Sequence, residues 1–444
     1  MIEKIRRSFN KDFNDAGFLE ILRGSATTFA VRLLGLVAGY AFTFIISRYY
    51  GSGVLGAHTL SITVLMMFSV LGRLGMDSLL VRHFAQDHAI KRWDRILEVY
   101  KKTLMVVIPL GLILSVILFF SAGPVATYVF KKPMLEPYFR IISFAVLPMA
   151  MRFVNSECYR GFRMNREYAY SQNVSYFLYS AVILGIMTIF SRHSWLPNAA
   201  FVLSLIVLMI SSSVLILKRI KSNTNTISSE LEVSAMVKNA LPMMLANSML
   251  LVAGWINTIM LGIWSTENDV GIYSVVLKIS TFSAFVLMSI NSVSAPRFAQ
   301  LHAKGDHEGL KKYTAHTAKI IFYSSIPIFL LILVLRKWLL SLFGPEFIIG
   351  STALLITMLG QLFNVFAGSV GQFLYMTGKQ HVFRNIILTS TLINIVICAI
   401  LIPLYGLVGS AIAGMVFMGA WNLMSMIYIS RTFKIRTYYW PFGK

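Results

Sequence analysis

The chain has 444 residues, 57% of them hydrophobic and 13% charged, with a formal net charge of +22. Soluble domains carry roughly 45–50% apolar and about 25% charged residues, so a water-soluble globular protein is excluded. Only two cysteines are present, Cys158 and Cys398, which excludes a disulfide framework and any cysteine-based zinc site.

In chain order, residues 1–24 form a polar, basic leader (Lys4, Arg6, Arg7, Lys11, Arg23). It lacks the pattern of a secretory signal and reads as cytoplasmic or interfacial. Apolar blocks follow, each near the ~20 residues that a helix needs to cross the hydrocarbon core. About twelve spans are predicted, near 25–47, 54–80, 103–123, 139–159, 173–191, 197–217, 239–264, 270–293, 317–335, 350–376, 385–403 and 407–430. The fold class is therefore an all-α polytopic membrane protein. A first six-helix bundle occupies 25–220. A polar linker, rich in Ser, Thr and Asn, covers 221–236. A second six-helix bundle occupies 237–430, and a basic tail covers 431–444. With the N-terminus inside, both termini and most Lys and Arg fall on the cytoplasmic side. Only Arg48, Lys131, Lys132, Arg192, Arg336 and Lys337 lie in outer loops. The positive-inside rule thus explains the excess charge and removes nucleic acid as a partner; the bilayer takes that place.

The two halves echo one another. Leu36-Val37-Ala38-Gly39 recurs as Leu251-Val252-Ala253-Gly254, and Phe84-Ala85-Gln86 with His88-Ala89 recurs as Phe298-Ala299-Gln300 with His302-Ala303. An internal duplication in so apolar a chain points to a transporter built from two repeats, with a cleft between them. Each half opens on a helix striped with small and polar residues: Thr28, Arg32, Gly35, Gly39 and Thr43, then Asn247, Gly254, Thr258 and Gly262. For the glycines alone, close helix packing is the preferred reading. The tenth span presents Gln361, Asn364, Gly368, Gly371, Gln372 and Tyr375 on one face, which points to a wet cavity.

Charges inside spans are costly and by default functional. They are Arg32, Arg73, Asp77, Arg152, Glu157 and Lys278, with Arg140 near a span end where it can snorkel. Arg73 and Asp77, four apart on one helix, can pair, and Glu157 can pair with Arg160. Arg152 and Lys278 have no acid at helical spacing. Arg32, Arg73, Arg152 and Lys278 are the candidate substrate-binding cations, which favours an anionic cargo bearing phosphate. Asn247, Asn291, Gln361, Asn364 and Gln372 are candidate polar lining. Asp77 and Glu157 are the only acids among the span charges. Arg32 aligns with Asn247 and Asp77 roughly with Asn291, so the charges are not repeated although the positions stay polar. No Walker-type loop, HExxH or GxSxG is present. The expectation is no enzyme, no cofactor and no metal.

At this point the chain resembles a family. The relevant residues are Arg32-Leu33-Leu34-Gly35, Ser47-Arg48-Tyr49-Tyr50-Gly51, Gly53-Val54-Leu55-Gly56, Leu71-Gly72-Arg73-Leu74-Gly75-Met76-Asp77 before Val81-Arg82, and Met376-Thr377-Gly378-Lys379-Gln380. They look like the polysaccharide biosynthesis flippases of the multidrug/oligosaccharidyl-lipid/polysaccharide exporter superfamily. The resemblance implies a MATE-like fold in the bacterial plasma membrane and alternating access. Its cargo would be undecaprenyl-pyrophosphate-linked oligosaccharide for O-antigen, lipopolysaccharide, capsule or a related surface glycan. It also implies a cationic cavity for the pyrophosphate headgroup, ion-gradient coupling for which Asp77 and Glu157 are the available acids, and a polysaccharide polymerase and chain-length proteins as partners. Two relatives of the same superfamily compete with this reading. A multidrug antiporter needs acids in the first and seventh spans, where this chain has Arg32 and Asn247. A lipid II flippase usually has two further spans.

Overall fold

The computed structural model describes residues 16–224, 226 and 231–439; side chains of 16–29, 246, 247, 249, 250 and 292 are not described. The ends of the leader and tail and part of the linker therefore lie outside the described residues. Within them the chain is almost wholly helical and forms no strand. The helices are α1 (Ala16–Arg73), α2 (Met76–Ala89), α3 (Trp93–Pro124), α4 (Glu136–Ser143), α5 (Val146–Gly161), α6 (Asn165–Ala169), α7 (Ser175–Phe190), α8 (Leu196–Lys221), α9 (Val233–Trp264), α10 (Glu267–Ser283), α11 (Phe285–Ala303), α12 (His307–Phe343), α13 (Ser351–Ala367), α14 (Val370–Met376) and α15 (Gln380–Phe433). Two five-residue π-turns, Val125–Val129 and Tyr170–Val174, are inserted after α3 and before α7.

Seven described helices are long and apolar enough to cross a membrane alone, or nine if each bent pair is one span. Two of them are far too long for one crossing. α1 has 58 residues and breaks at Gly51 (φ 84°), and α15 has 54 and breaks at Gly406 (φ 50°). Both φ values lie where glycine alone is unstrained. The twelve-span expectation rests on counting each broken helix twice and adding α9.

Elsewhere the sequence sets the ends locally. Asp306 opens α12 by accepting from the Gly309 amide at 2.8 Å, and Thr266 opens α10 by accepting from the Asp269 amide at 3.2 Å. Such caps satisfy amides that have no partner within the helix. Lys132 closes the end of α9 by donating to the carbonyls of Gly262 (2.7 Å) and Ser265. Burial lowers its amine below the ordinary lysine value, against the pull of Glu267 and Asp269.

The helices group into two compact units. Unit one takes the described residues up to Ile45, Leu65–Ala122 and Phe139–Ala246; unit two takes Ile46–Val64, Gly123–Tyr138 and the described residues from Asn247 onward. The core of unit one gathers Phe84, Leu97, Tyr100, Val154, Cys158 and Met236. A polar chain runs through it: Tyr100 donates to Asn155 at 2.9 Å, and Asn155 donates to Ser212 and Ser213 at 2.8 Å. The core of unit two gathers Phe298, Val370, Phe373, Phe383, Ile387 and Ile429. Within unit two, Gly56 and Gly271 bring two backbones together, because a Cβ on either would collide with the opposite carbonyl, of Glu267 or of Ser52.

Candidate functional site

Four predicted spans are broken, and the breaks recur between the halves. In the second span, Leu74 (φ 46°) and Gly75 (φ 76°) separate α1 from α2. In the eighth, α10 and α11 meet at a 47° bend. In the fourth, α4 and α5 do the same at 47°. In the tenth, Gly368 (φ 72°) separates α13 from α14. The same pair of spans breaks in each half, so the duplication shows in the backbone as well as in the sequence. Broken helices free backbone polar groups, a device that transporters place at substrate and ion sites.

The breaks correct two sequence readings. Arg73 and Asp77 do not share one helix; the chain turns between them. They nevertheless pair at 2.9 Å, and both are largely buried. The polar face of the tenth span is not continuous either. Gln361 and Asn364 lie on α13, whereas Gln372 and Tyr375 lie on α14 beyond the turn.

Unit one brings three of the four candidate cations into one region. The Arg73 guanidinium lies 4.0 Å from the centre of the Phe153 ring, and that of Arg152 lies 4.3 Å from the same ring. Arg152 is 3% exposed, so its hydrogen bonds decide what it can do. It donates to the carbonyls of Ser171 (3.0 Å) and Gln172 (3.4 Å) and also stacks on Tyr176 at 4.6 Å. Both carbonyls belong to the π-turn Tyr170–Val174, where the ordinary helical ladder is interrupted. Arg152 thus has partners that no search for acids at helical spacing could find. Glu157 pairs with Arg160 at 3.3 Å, as expected. Gln172 donates to Ser156 at 2.7 Å, tying the π-turn to α5. Arg32 is exposed, and no carboxylate among the described residues pairs with it.

Unit two holds Lys278, half-buried on α10. The side chain of Asn247 lies outside the described residues. Asn291 keeps a buried Oδ1 without a hydrogen-bond partner, and so does the Oε1 of Gln361. Asn364 accepts from Asn422 at 3.5 Å, and Gln372 is half-buried. A second polar chain runs from Asn394 to Asn257 (2.7 Å) and on to the Ser410 carbonyl (2.9 Å). Asn394 and Asn257 were missed in the sequence, because they lie 137 residues apart on two helices that only the fold joins.

The glycine stripe also divides. Gly35 and Gly39 face Asn173 and Phe177, and Gly262 faces Leu60 and Phe130, as packing requires. Gly254 has nothing within 4 Å of its missing side chain, so for it the packing reading is wrong. It borders a cavity of about 110 Å³ inside unit two, together with Asn257, Tyr273, Ser280, Thr357 and Gln361.

Comparison with known proteins fixes the family. The description of the polysaccharide biosynthesis proteins matches residues 21–302. The chain belongs to that family. The description of the MatE family also matches residues 242–400. Among curated relatives, a probable low-salt glycan biosynthesis flippase of Haloferax volcanii is 22% identical over 190 residues, 43% of this chain and 40% of that protein. The chain therefore spans less than half of the length of that relative. Among solved structures, an inward-facing multidrug resistance MATE family transporter of the MOP superfamily superposes with a TM-score of 0.73 at 14% identity, covering 92% of this chain and 98% of that one. The lipid II flippase MurJ, in an inward closed conformation, gives 0.68 at 15%, covering 92% and 87%. The family member described here is thus an all-α, multi-pass membrane protein with a MATE-like fold.

Proposed function

We propose that this protein is a flippase that moves undecaprenyl-pyrophosphate-linked oligosaccharide units across the plasma membrane for a surface polysaccharide such as O-antigen, lipopolysaccharide or capsule. It does so by alternating access and without covalent chemistry. Both termini lie on the cytoplasmic side, where the Lys and Arg excess falls. The oligosaccharide passes afterwards to the polymerase and chain-length proteins. The observation that carries this reading is the cation excess in unit one. Arg32, Arg73 and Arg152 lie there with Asp77 and Glu157, and Glu157 is already engaged by Arg160. A low-dielectric region holding more guanidinium than carboxylate favours an anionic headgroup.

The roles divide by what each group touches. Arg32, exposed and facing no acid, offers its guanidinium first. Arg73 adds charge from the break in the second span. Arg152 spends its donors on two carbonyls and holds the π-turn in shape beside them. Lys278 supplies the cation of unit two. Asp77 and Glu157 are the acids through which a proton gradient would couple, by loosening the Arg73 or Arg160 pair when protonated.

The test is a deletion strain, from which membrane lipids are extracted. A complete prenyl-pyrophosphate oligosaccharide accumulates inside while the surface glycan disappears, and wild-type protein restores both. Arg32→Ala and Lys278→Ala insert normally and fail to restore export. A truncated lipid-linked unit would move the protein to assembly and sink the proposal. Unchanged glycan with new sensitivity to toxic cations would favour the multidrug antiporter.

A further inference from the structure

The cavity of unit two differs in chemistry from the cation cluster. Its polar lining is neutral: the amides of Asn257 and Gln361 and the hydroxyls of Tyr273, Ser280 and Thr357. Its volume, about 110 Å³, exceeds the roughly 10–15 Å³ that one water needs, and it opens at the exposed Gly254, so a ligand larger than the enclosed space can enter in part. Gln361 is 5% exposed and its Oε1 has no partner. A buried amide oxygen without a donor is costly, and such a group calls for an explanation such as an absent ligand. Thr357 and Ser280 each donate their hydroxyl proton to the backbone of their own helix, Thr357 to Ala353 at 2.9 Å and Ser280 to Leu277 at 3.0 Å. Their lone pairs stay free to accept. Phe417 adds an aromatic wall.

The space is kept open by two glycines on facing helices. At Gly254 a side chain would meet nothing within 4 Å. At Gly414 a Cβ would stand 3.3 Å from the Tyr273 hydroxyl and 3.4 Å from the Asn257 amide nitrogen. Amides and hydroxyl acceptors around an aromatic face suit a ligand with hydroxyl donors on its rim and C–H groups on its face. That is a sugar ring. A phosphate would find no cation among the residues that line the space.

We propose that this cavity is a saccharide subsite. It seats part of one pyranose ring of the cargo, with Gln361 Oε1 accepting from a sugar hydroxyl and Phe417 against the ring. This inference rests on the flippase reading and adds where the neutral part of the cargo is recognised.

The experiment uses the full chain in nanodiscs and measures affinity for two kinds of probe. One is undecaprenyl pyrophosphate. The other is the same lipid carrying N-acetylglucosamine, glucose or galactose. Wild type should bind at least one sugar-bearing lipid about tenfold more tightly than the bare lipid, as one or two added hydrogen bonds allow. Gln361→Leu and Gly254→Leu should erase that gain while binding bare lipid as wild type does. Gln361→Leu should also raise the melting temperature of the ligand-free protein, because it removes an unpaired buried oxygen. A purely structural glutamine would lower it. If neither kind of probe binds wild type, the flippase reading falls and takes the subsite with it. If bare and sugar-bearing lipids bind equally, or the variants keep the gain, the subsite alone is overturned. A sodium-dependent stabilisation that Gln361→Leu abolishes, with no sugar effect, would overturn it by giving the cavity to a cation.

Discussion

The second-span break of unit one and the cavity region of unit two bury polar groups in different ways. In unit one the charges near the second-span break are engaged: Arg73 with Asp77, Glu157 with Arg160, and Arg152 with two carbonyls and two rings. In unit two, neutral amides dominate, and Asn291, Gln361 and Asn422 each keep a buried oxygen without a partner. A buried charge cannot wait for a ligand, because leaving it alone costs several kcal/mol per ion. A neutral amide can, at about 1–3 kcal/mol. Apart from the exposed Arg32, the charges of the cation region are held by partners within the fold. The neutral region keeps buried oxygens that its own residues do not satisfy.

The largest effect that tests this contrast comes from Arg73→Ala. It strands the buried Asp77 carboxylate and should destabilise the protein by about 3–5 kcal/mol. Thermal unfolding in detergent reads this, and adding Asp77→Leu should recover most of the loss without restoring export. A small loss from Arg73→Ala alone would show that Asp77 is not held by its partner. Next comes Arg152→Met, which deprives the Ser171 and Gln172 carbonyls of their donor at a cost of about 2–3 kcal/mol. Hydrogen exchange should speed up in the π-turn, and Arg152→Lys should rescue only partly, since a point charge cannot also stack on two rings.

In unit two the paired glycines sharpen the contrast. Gly262→Leu drives a side chain into Leu60 and Phe130 and should cost about 1–3 kcal/mol, whereas Gly254→Leu enters open space and should leave the melting temperature nearly unchanged. Equal losses from the two would mean that the cavity is packed in solution. The smallest effect concerns Asp87, near the end of α2, which burial pushes above the usual carboxylate range despite Arg95 at 3.7 Å. A raised folded-state value means that its contribution is fully present at low pH and is lost as pH rises through that value. Asp87→Asn should therefore flatten the pH dependence of stability above about pH 4, with a change below about 1 kcal/mol at neutral pH. An unchanged pH profile would refute that.

Much of this was legible in the sequence because it depends on composition and spacing. The apolar blocks named the helices, the repeated Leu-Val-Ala-Gly named the duplication, and the Glu157–Arg160 pair followed from a separation of three; the Arg73–Asp77 pair was expected too, but it forms across the turn at Gly75 and not along one helix face. What was illegible depends on where the backbone departs from an even helix. The turns at Gly75 and Gly368 split faces that counting by 3.6 had joined. The π-turn at Tyr170–Val174 carries no glycine or proline to announce it, so the partners of Arg152 stayed hidden. The openness at Gly254, against the tight fit at Gly262 two turns on, is set by neighbours that are distant in sequence.

The grouping into units has a consequence for biogenesis. Ile46–Val64 and Gly123–Tyr138 leave the ribosome early, yet they belong to the unit completed by the last helices; Val233–Ala246, made much later, belongs to the unit begun first. Neither unit can close before synthesis passes the middle of the chain. The glycine-lined surface around Gly56 therefore stays uncovered until the stretch that carries Glu267 and Gly271 has been made.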